Sequence, residues 1–141
     1  MFMASYTANY GLHQWEATDN FLRTDFNTDF GIIDGALAGL ESDKPELVAG
    51  AYAGDGAMSR TISLGAAPKA VLVTDESGAL HNGQAAYGGF ALPGHACIHG
   101  GAVTVQITAD GFQVGRGYAV SGSYWADVNK SGVTYYFMAL V

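Results

Sequence analysis

The stretch Val103-Thr104-Val105-Gln106-Ile107-Thr108-Ala109-Asp110-Gly111-Phe112-Gln113-Val114 decides the fold of this chain. Val103, Val105 and Ile107 fall on one side of an extended segment while Thr104, Gln106 and Thr108 fall on the other, the period-two pattern of a strand. Ala109-Asp110-Gly111 supplies a compact turn, and Phe112-Gln113-Val114 begins the returning strand, so the pair reads as an antiparallel hairpin. Working outward, Leu47 to Ala53, Ser59 to Leu64 and Lys69 to Thr74 alternate or run apolar between turn signals. At the other end Asn129-Lys130-Ser131-Gly132 is a turn leading into Val133 to Val141. There Tyr135, Phe137 and Ala139 share one face, Tyr136, Met138 and Leu140 share the other, and neither face is polar. Such a strand belongs in the middle of a sandwich or between subunits, because exposed it makes a sticky edge. The fold class expected is mainly β, a compact β-sandwich-like C-terminal module preceded by a short N-terminal helical attachment segment.

The helix is written in Phe26, Phe30, Ile33, Leu37 and Leu40, whose steps of 4, 3, 4 and 3 are heptad spacing. Thr24 is positioned to cap its start, with Asp25 near the positive helix end. Gly31, Gly35 and Gly39 recur on another face and weaken it, so tertiary or subunit packing must hold it. Two readings stand: an amphipathic helix lying on its own β module, or a short parallel bundle of identical helices, which two heptads cannot sustain unless the following domain also associates. The pattern changes near Ser42-Asp43-Lys44-Pro45, dividing the chain into an attachment segment at 1–44 and a β module at 45–141.

Composition narrows the function classes. With 6 Lys+Arg against 13 Asp+Glu, a formal charge of -7, the chain has no basic cluster for phosphates, and nucleic acid and anionic membrane are excluded as expected partners. No apolar run approaches the roughly 18 residues of a membrane span, and Met1-Phe2-Met3-Ala4-Ser5-Tyr6 lacks the features of a signal peptide. Work outside a cell would then follow release by lysis or as part of a particle. The single cysteine forms no internal disulfide and does not reveal the compartment. Twenty glycines are about twice the usual share. They suit a hairpin-rich β fold, with Gly88-Gly89 and Gly100-Gly101 at tight turns or close backbone approaches.

No local motif presents a nucleophile, a base and an orienting group, and no phosphate loop occurs, so an enzyme is not expected. Gly54-Asp55-Gly56-Ala57 reads as a turn between strands. One stretch has metal-like spacing: in His95-Ala96-Cys97-Ile98-His99 an extended backbone would put His95, Cys97 and His99 on one side, donors suited to a transition metal. The other reading is a set of buried or hydrogen-bonded side chains, with no cofactor. Sugar binding calls for an aromatic face beside carboxylates and amides. Trp125 with Tyr124 and Asp127 offers this in one Gly/Ser-rich stretch, and Asp75, His81, Asn82 and Tyr87 lie in or beside another. The same aromatics also suit core or interface positions.

The leader carries a resemblance. Ala8-Asn9-Tyr10-Gly11-Leu12-His13-Gln14-Trp15, then Asp19 to Asn27 and Ile33-Asp34-Gly35-Ala36-Leu37, resembles the start of tail-associated proteins of phages and prophages of Gram-positive bacteria. Fragments of the second part, among them Ser59-Arg60-Thr61-Ile62-Ser63-Leu64-Gly65 and Ser131-Gly132-Val133-Thr134-Tyr135-Tyr136, resemble small C-terminal β modules of such proteins. The resemblance implies a homotrimeric tail-fibre or baseplate-tip component that binds host surface polysaccharide, contacts other tail proteins and acts outside the cell after synthesis in the host cytoplasm. It implies that Tyr10, Leu12, Trp15, Phe21, Leu22 and Phe26 pack or dock, with Arg23 and Asp25 as positioning contacts. Phe30, Ile33, Leu37 and Leu40 extend the same surface. No long shaft joins the two parts, which favours a compact tip over an extended fibre. A carbohydrate-binding module without an assembly role and a small cell-wall hydrolase are the alternatives.

Overall fold

The structure is a computed structural model that describes residues 5–118 and 124–141. The chain divides into two compact units, Met1–Lys44 and Pro45–Val141. Residues 1–4 and 119–123 lie outside the described residues.

In the first unit a two-stranded hairpin, β1 (Ser5–Tyr6) and β2 (His13–Gln14), precedes helix α1 (Arg23–Asp43). The helix begins earlier than Thr24 would set. Leu22 takes the cap position with extended backbone and no side-chain cap, its carbonyl accepting the Phe26 N–H at 3.2 Å. Thr24 therefore lies inside the first turn, where its own carbonyl accepts the Thr28 hydroxyl at 2.9 Å. Asp25 is in that turn as well, next to the exposed N–H groups that a negative charge favours. Lys44 ends the helix in extended backbone because it precedes Pro45, whose ring disfavours the helical conformation there.

The second unit is a two-layer β structure. The first layer joins β3 (Leu47–Ala53), β12 (Thr134–Leu140), β5 (Ala70–Asp75) and β7 (Gly89–Ala91) in that order. The second joins β6 (Ala85–Ala86), β11 (Trp125–Asp127), β10 (Gly111–Tyr118), β9 (Ala102–Thr108) and β8 (Cys97–His99), with β4 (Ser59–Ser63) also paired to β10. The hairpin read from sequence is β9 and β10, turning at Ala109-Asp110. The terminal strand is central in its sheet, between β3 and β5.

The core is formed by the inward rows: Tyr52, Val71, Val73, Ala91, Tyr135 and Ala139 from the first layer, Val105, Phe112 and Val114 from the second, with Val128 from the loop after β11. Each large apolar side chain fully buried there contributes roughly 1.5–3 kcal/mol. Alternation fails at one place. Cys97 pairs with Val105 and Ile98 with Val103, a bulge that leaves Thr104 as the extra residue. Thr104 is buried and donates its hydroxyl to the Cys97 carbonyl at 3.1 Å, whereas Val103 is exposed. Val103 thus does not share the face of Val105 and Ile107.

Candidate functional site

A groove of about 330 Å³ opens beside β10 and β11, lined by Met58, Arg116, Gly117, Trp125, Ala126, Asp127 and Lys130. Strand alternation places Trp125 and Asp127 on the same side of β11, with buried Ala126 on the other. Arg116 stands opposite Asp127 in the ladder, and its Nε lies 3.2 Å from Asp127 Oδ1 while Nη1 donates to the Gly56 carbonyl at 3.3 Å. Lys130 Nζ approaches the other carboxylate oxygen at 4.0 Å. The groove therefore offers an aromatic wall, a carboxylate held between two cations, and N–H donors beyond those the carboxylate occupies.

The backbone beneath the groove is fixed from inside. The buried Tyr52 and Tyr135 hydroxyls donate to the Val128 and Asp127 carbonyls at 2.6 and 2.5 Å, and the Tyr135 oxygen accepts the Lys130 N–H at 3.1 Å. Asn129, read from sequence as a turn residue, is fully buried. Its side-chain amide donates to Asp55 Oδ1 at 2.6 Å and to the Ala57 carbonyl at 3.0 Å, joining the loop after β11 to the loop after β3. The Ala57 N–H and then the Asn129 amide hold the Asp55 carboxyl below its usual range. Gly54 is required here because a Cβ would stand 2.1 Å from the Lys130 carbonyl oxygen.

The seven residues singled out for sugar binding separate into three places. Trp125 and Asp127 line the groove. Tyr124, His81, Asn82 and Tyr87 belong to a neighbouring cluster. There His99 stacks on His81 at 5.9 Å and meets the Tyr124 ring edge-on at 5.6 Å, while the Asn82 amide donates to the Tyr87 hydroxyl at 2.8 Å. Asp75 stands apart, closing its own turn by accepting the Ser77 N–H at 2.9 Å. Met58, Arg116 and Lys130 were not singled out from the sequence. Only the alternation Arg116-Gly117-Tyr118 against Trp125-Ala126-Asp127 hints at Arg116.

His95, Cys97 and His99 do not converge. Cys97 and His99 are half-buried on one side of β8 with exposed Ile98 on the other, but Cys97 packs against the core, His99 meets His81 and Tyr124, and exposed His95 lies before the strand, paired through its backbone with Leu92. Among the described residues no three His, Cys, Asp or Glu side chains are grouped to hold a metal.

The first unit holds a second arrangement that sequence reading missed. Asp29, the one buried residue of α1, accepts the His13 N–H at 2.9 Å, and its other oxygen lies 2.8 Å from His13 Nδ1. His13 Nε2 is 3.9 Å from Asp25, so the hairpin is clamped to the first turns of the helix. Aromatic contacts extend from Tyr6 and His13 through Trp15 and Phe21 to Phe26 and Phe30. The indole N–H of Trp15 is buried without a hydrogen-bond acceptor among the described residues. Beyond this clamp the heptad residues are solvent-exposed: Phe30 at 54%, Leu37 at 61% and Leu40 at 65%, with Phe26 and Ile33 less so.

No family model, curated protein or solved structure matches the chain.

Proposed function

We propose that this protein is a structural component of a phage tail tip or tail fibre, assembled as a homotrimer through residues 1–44 and binding host cell-surface polysaccharide through its β module. The observation that carries the reading is the apolar stripe Phe26-Phe30-Ile33-Leu37-Leu40, exposed along a 21-residue helix whose one buried side chain is an aspartate. A helix that buries so little of its apolar face within its own unit gains its stability from association. The Trp15 N–H, without an acceptor among the described residues, and the leader's resemblance to tail-associated proteins agree with an attachment role. In the β module, the Trp125 and Asp127 groove has the size and the mixed aromatic and charged lining of a saccharide site. Its lining includes one carboxylate where glycoside hydrolysis uses a pair, which favours binding over cleavage.

Light scattering across a concentration range tests assembly. The expected mass is that of three protomers; a single-protomer mass throughout overturns it. Ile33→Asp with Leu37→Asp should dissociate the oligomer while leaving the near-ultraviolet signal of the β module intact. Polysaccharide binding is read by titrating purified host cell wall, with Trp125→Ala expected to lower affinity by about tenfold or more. A carbohydrate-binding module without an assembly role is the reading that survives if the groove binds and the protein is monomeric; pull-down of tail or baseplate proteins distinguishes the two.

A further inference from the structure

We propose that the outer face of the β3, β12, β5 and β7 sheet is a second assembly seam, through which three copies of the β module close around a common axis. The proposal deepens the homotrimer reading and rests on it, but involves residues separate from the helix stripe.

The two layers present opposite chemistry to solvent. On the sheet containing β4, β9 and β10, exposed or half-exposed Ser59, Thr61, Gln106 and Gln113 cover most of the outer side, with Val103 and Ile98 exposed at one border, and Gln113 donates to the Ser59 hydroxyl. That is the ordinary condition of an antiparallel sheet with one face in water. On the other sheet Leu47, Phe90, Tyr136, Met138 and Leu140 point outward, with Leu47 58% exposed, Phe90 50% and Met138 45%. The register makes them one surface. Leu140 stands opposite Leu47 and Ala70, Met138 opposite Ala49 and Leu72, and Leu72 opposite Phe90. A hollow of about 200 Å³ among Leu47, Leu72, Phe90, Met138 and Leu140 gives the face relief.

Area and charge point to copies of this chain as the occupant. These side chains expose on the order of 500 Å² of apolar surface, at the upper range for one patch on a monomer, so three copies closing around one axis remove on the order of 1,500 Å² from water. With a formal charge of -7 per chain, copies repel one another over most of their surface, so an uncharged face is where they meet at least cost. With the axis parallel to β12, Tyr136, Met138 and Leu140, on the central strand of the sheet, face it.

The full-length protein tests this by crosslinking and by mass. Met138→Cys should give a disulfide-linked dimer band under mild oxidation, since residues near a common axis meet their own copies, whereas Met58→Cys, exposed elsewhere, and the wild type with its single Cys97 should not. Met138→Lys and, separately, Leu47→Lys should each raise the dissociation constant of the assembly roughly a hundredfold while far-ultraviolet dichroism stays unchanged, because each places an unpaired charge in a desolvated seam. A monomeric wild type overturns the homotrimer reading itself. A trimeric wild type with no Met138→Cys band and with lysine variants that assemble normally overturns this seam alone and leaves the helix seam standing.

Discussion

Tyr52 and Tyr135 stack at 5.2 Å with 16° between their ring planes, and both hydroxyls reach the loop that carries the groove. Burial first, and the Tyr135 phenol second, push the Tyr52 hydroxyl far above the ordinary tyrosine value of 10.0, with Arg60 opposing weakly; burial also raises Tyr135. The consequence for stability has a definite sign. Between the ordinary phenol value and the raised folded one, the unfolded chain has lost a proton that the folded chain retains, so raising pH favours unfolding. The contribution of Tyr52 is fully present below about pH 10 and declines above it. Melting temperature should therefore fall as pH increases beyond about 10, and Tyr52→Phe should flatten that decline while lowering stability at neutral pH by about 1 kcal/mol for the lost hydrogen bond. Thermal melts from roughly pH 8 to pH 11 decide it; an unchanged slope in the variant would show that Tyr52 is not the titrating group. Asp55 acts at the other end of the scale. Its lowered carboxyl, held by the Ala57 N–H and Asn129, adds stability above the unfolded carboxylate range, and that stability is lost as pH falls through the folded value.

At the scale of elements, the sheet between β3 and β12 depends on a missing side chain. Gly50 pairs with Phe137, and a Cβ at Gly50 would sit 2.6 Å from Phe137 Cζ, while the same ring meets Phe112 edge-on at 5.1 Å. Gly50→Val, although better suited to a strand by propensity, should cost about 1–3 kcal/mol by displacing Phe137. Urea denaturation measures this directly, and a variant as stable as wild type would mean that the ring has room to move. The case also illustrates what sequence can carry. The heptad of α1 and the hairpin of β9 and β10 were legible because each pattern concerns neighbours along one element. Gly50 read only as part of an apolar run, since the partner that forbids a side chain is 87 residues away. The same limit hid the His13 and Asp29 clamp, 16 residues apart, and the assembly of the groove from Met58, Arg116 and Lys130 on separate segments. Trp125 and Asp127 could be found together because strand alternation alone puts them on one side. Extended spacing aligns His95 with Cys97 and His99 only where one strand holds all three, whereas β8 covers Cys97–His99 and His95 sits before it in a bridge with Leu92 that no local pattern announces.

For the whole molecule, the opposing quantities are apolar surface and net charge. The helix stripe and the outer face of the first sheet are both uncharged, while the chain carries -7. If assembly uses these seams, the attraction is hydrophobic and insensitive to moderate salt, whereas the repulsion between acidic copies is screened as the Debye length falls from about 30 Å at 0.01 M to about 8 Å at 0.15 M. Added salt should therefore tighten the trimer, lowering its dissociation constant by roughly tenfold across that interval. An assembly joined chiefly by ion pairs responds in the opposite direction, because screening then weakens the attraction itself. Sedimentation velocity at several ionic strengths separates the cases: dissociation promoted by salt would exclude the two apolar seams as the principal contacts. The groove provides an internal contrast. Arg116 and Lys130 are two of only six basic side chains in the protein and converge on Asp127, so a ligand that displaces part of this ion-paired set should bind with a salt dependence of its own. Assembly that strengthens with salt while groove binding weakens would require two physically different surfaces on one chain, one recognising its own copies and the other a charged or hydroxylated ligand.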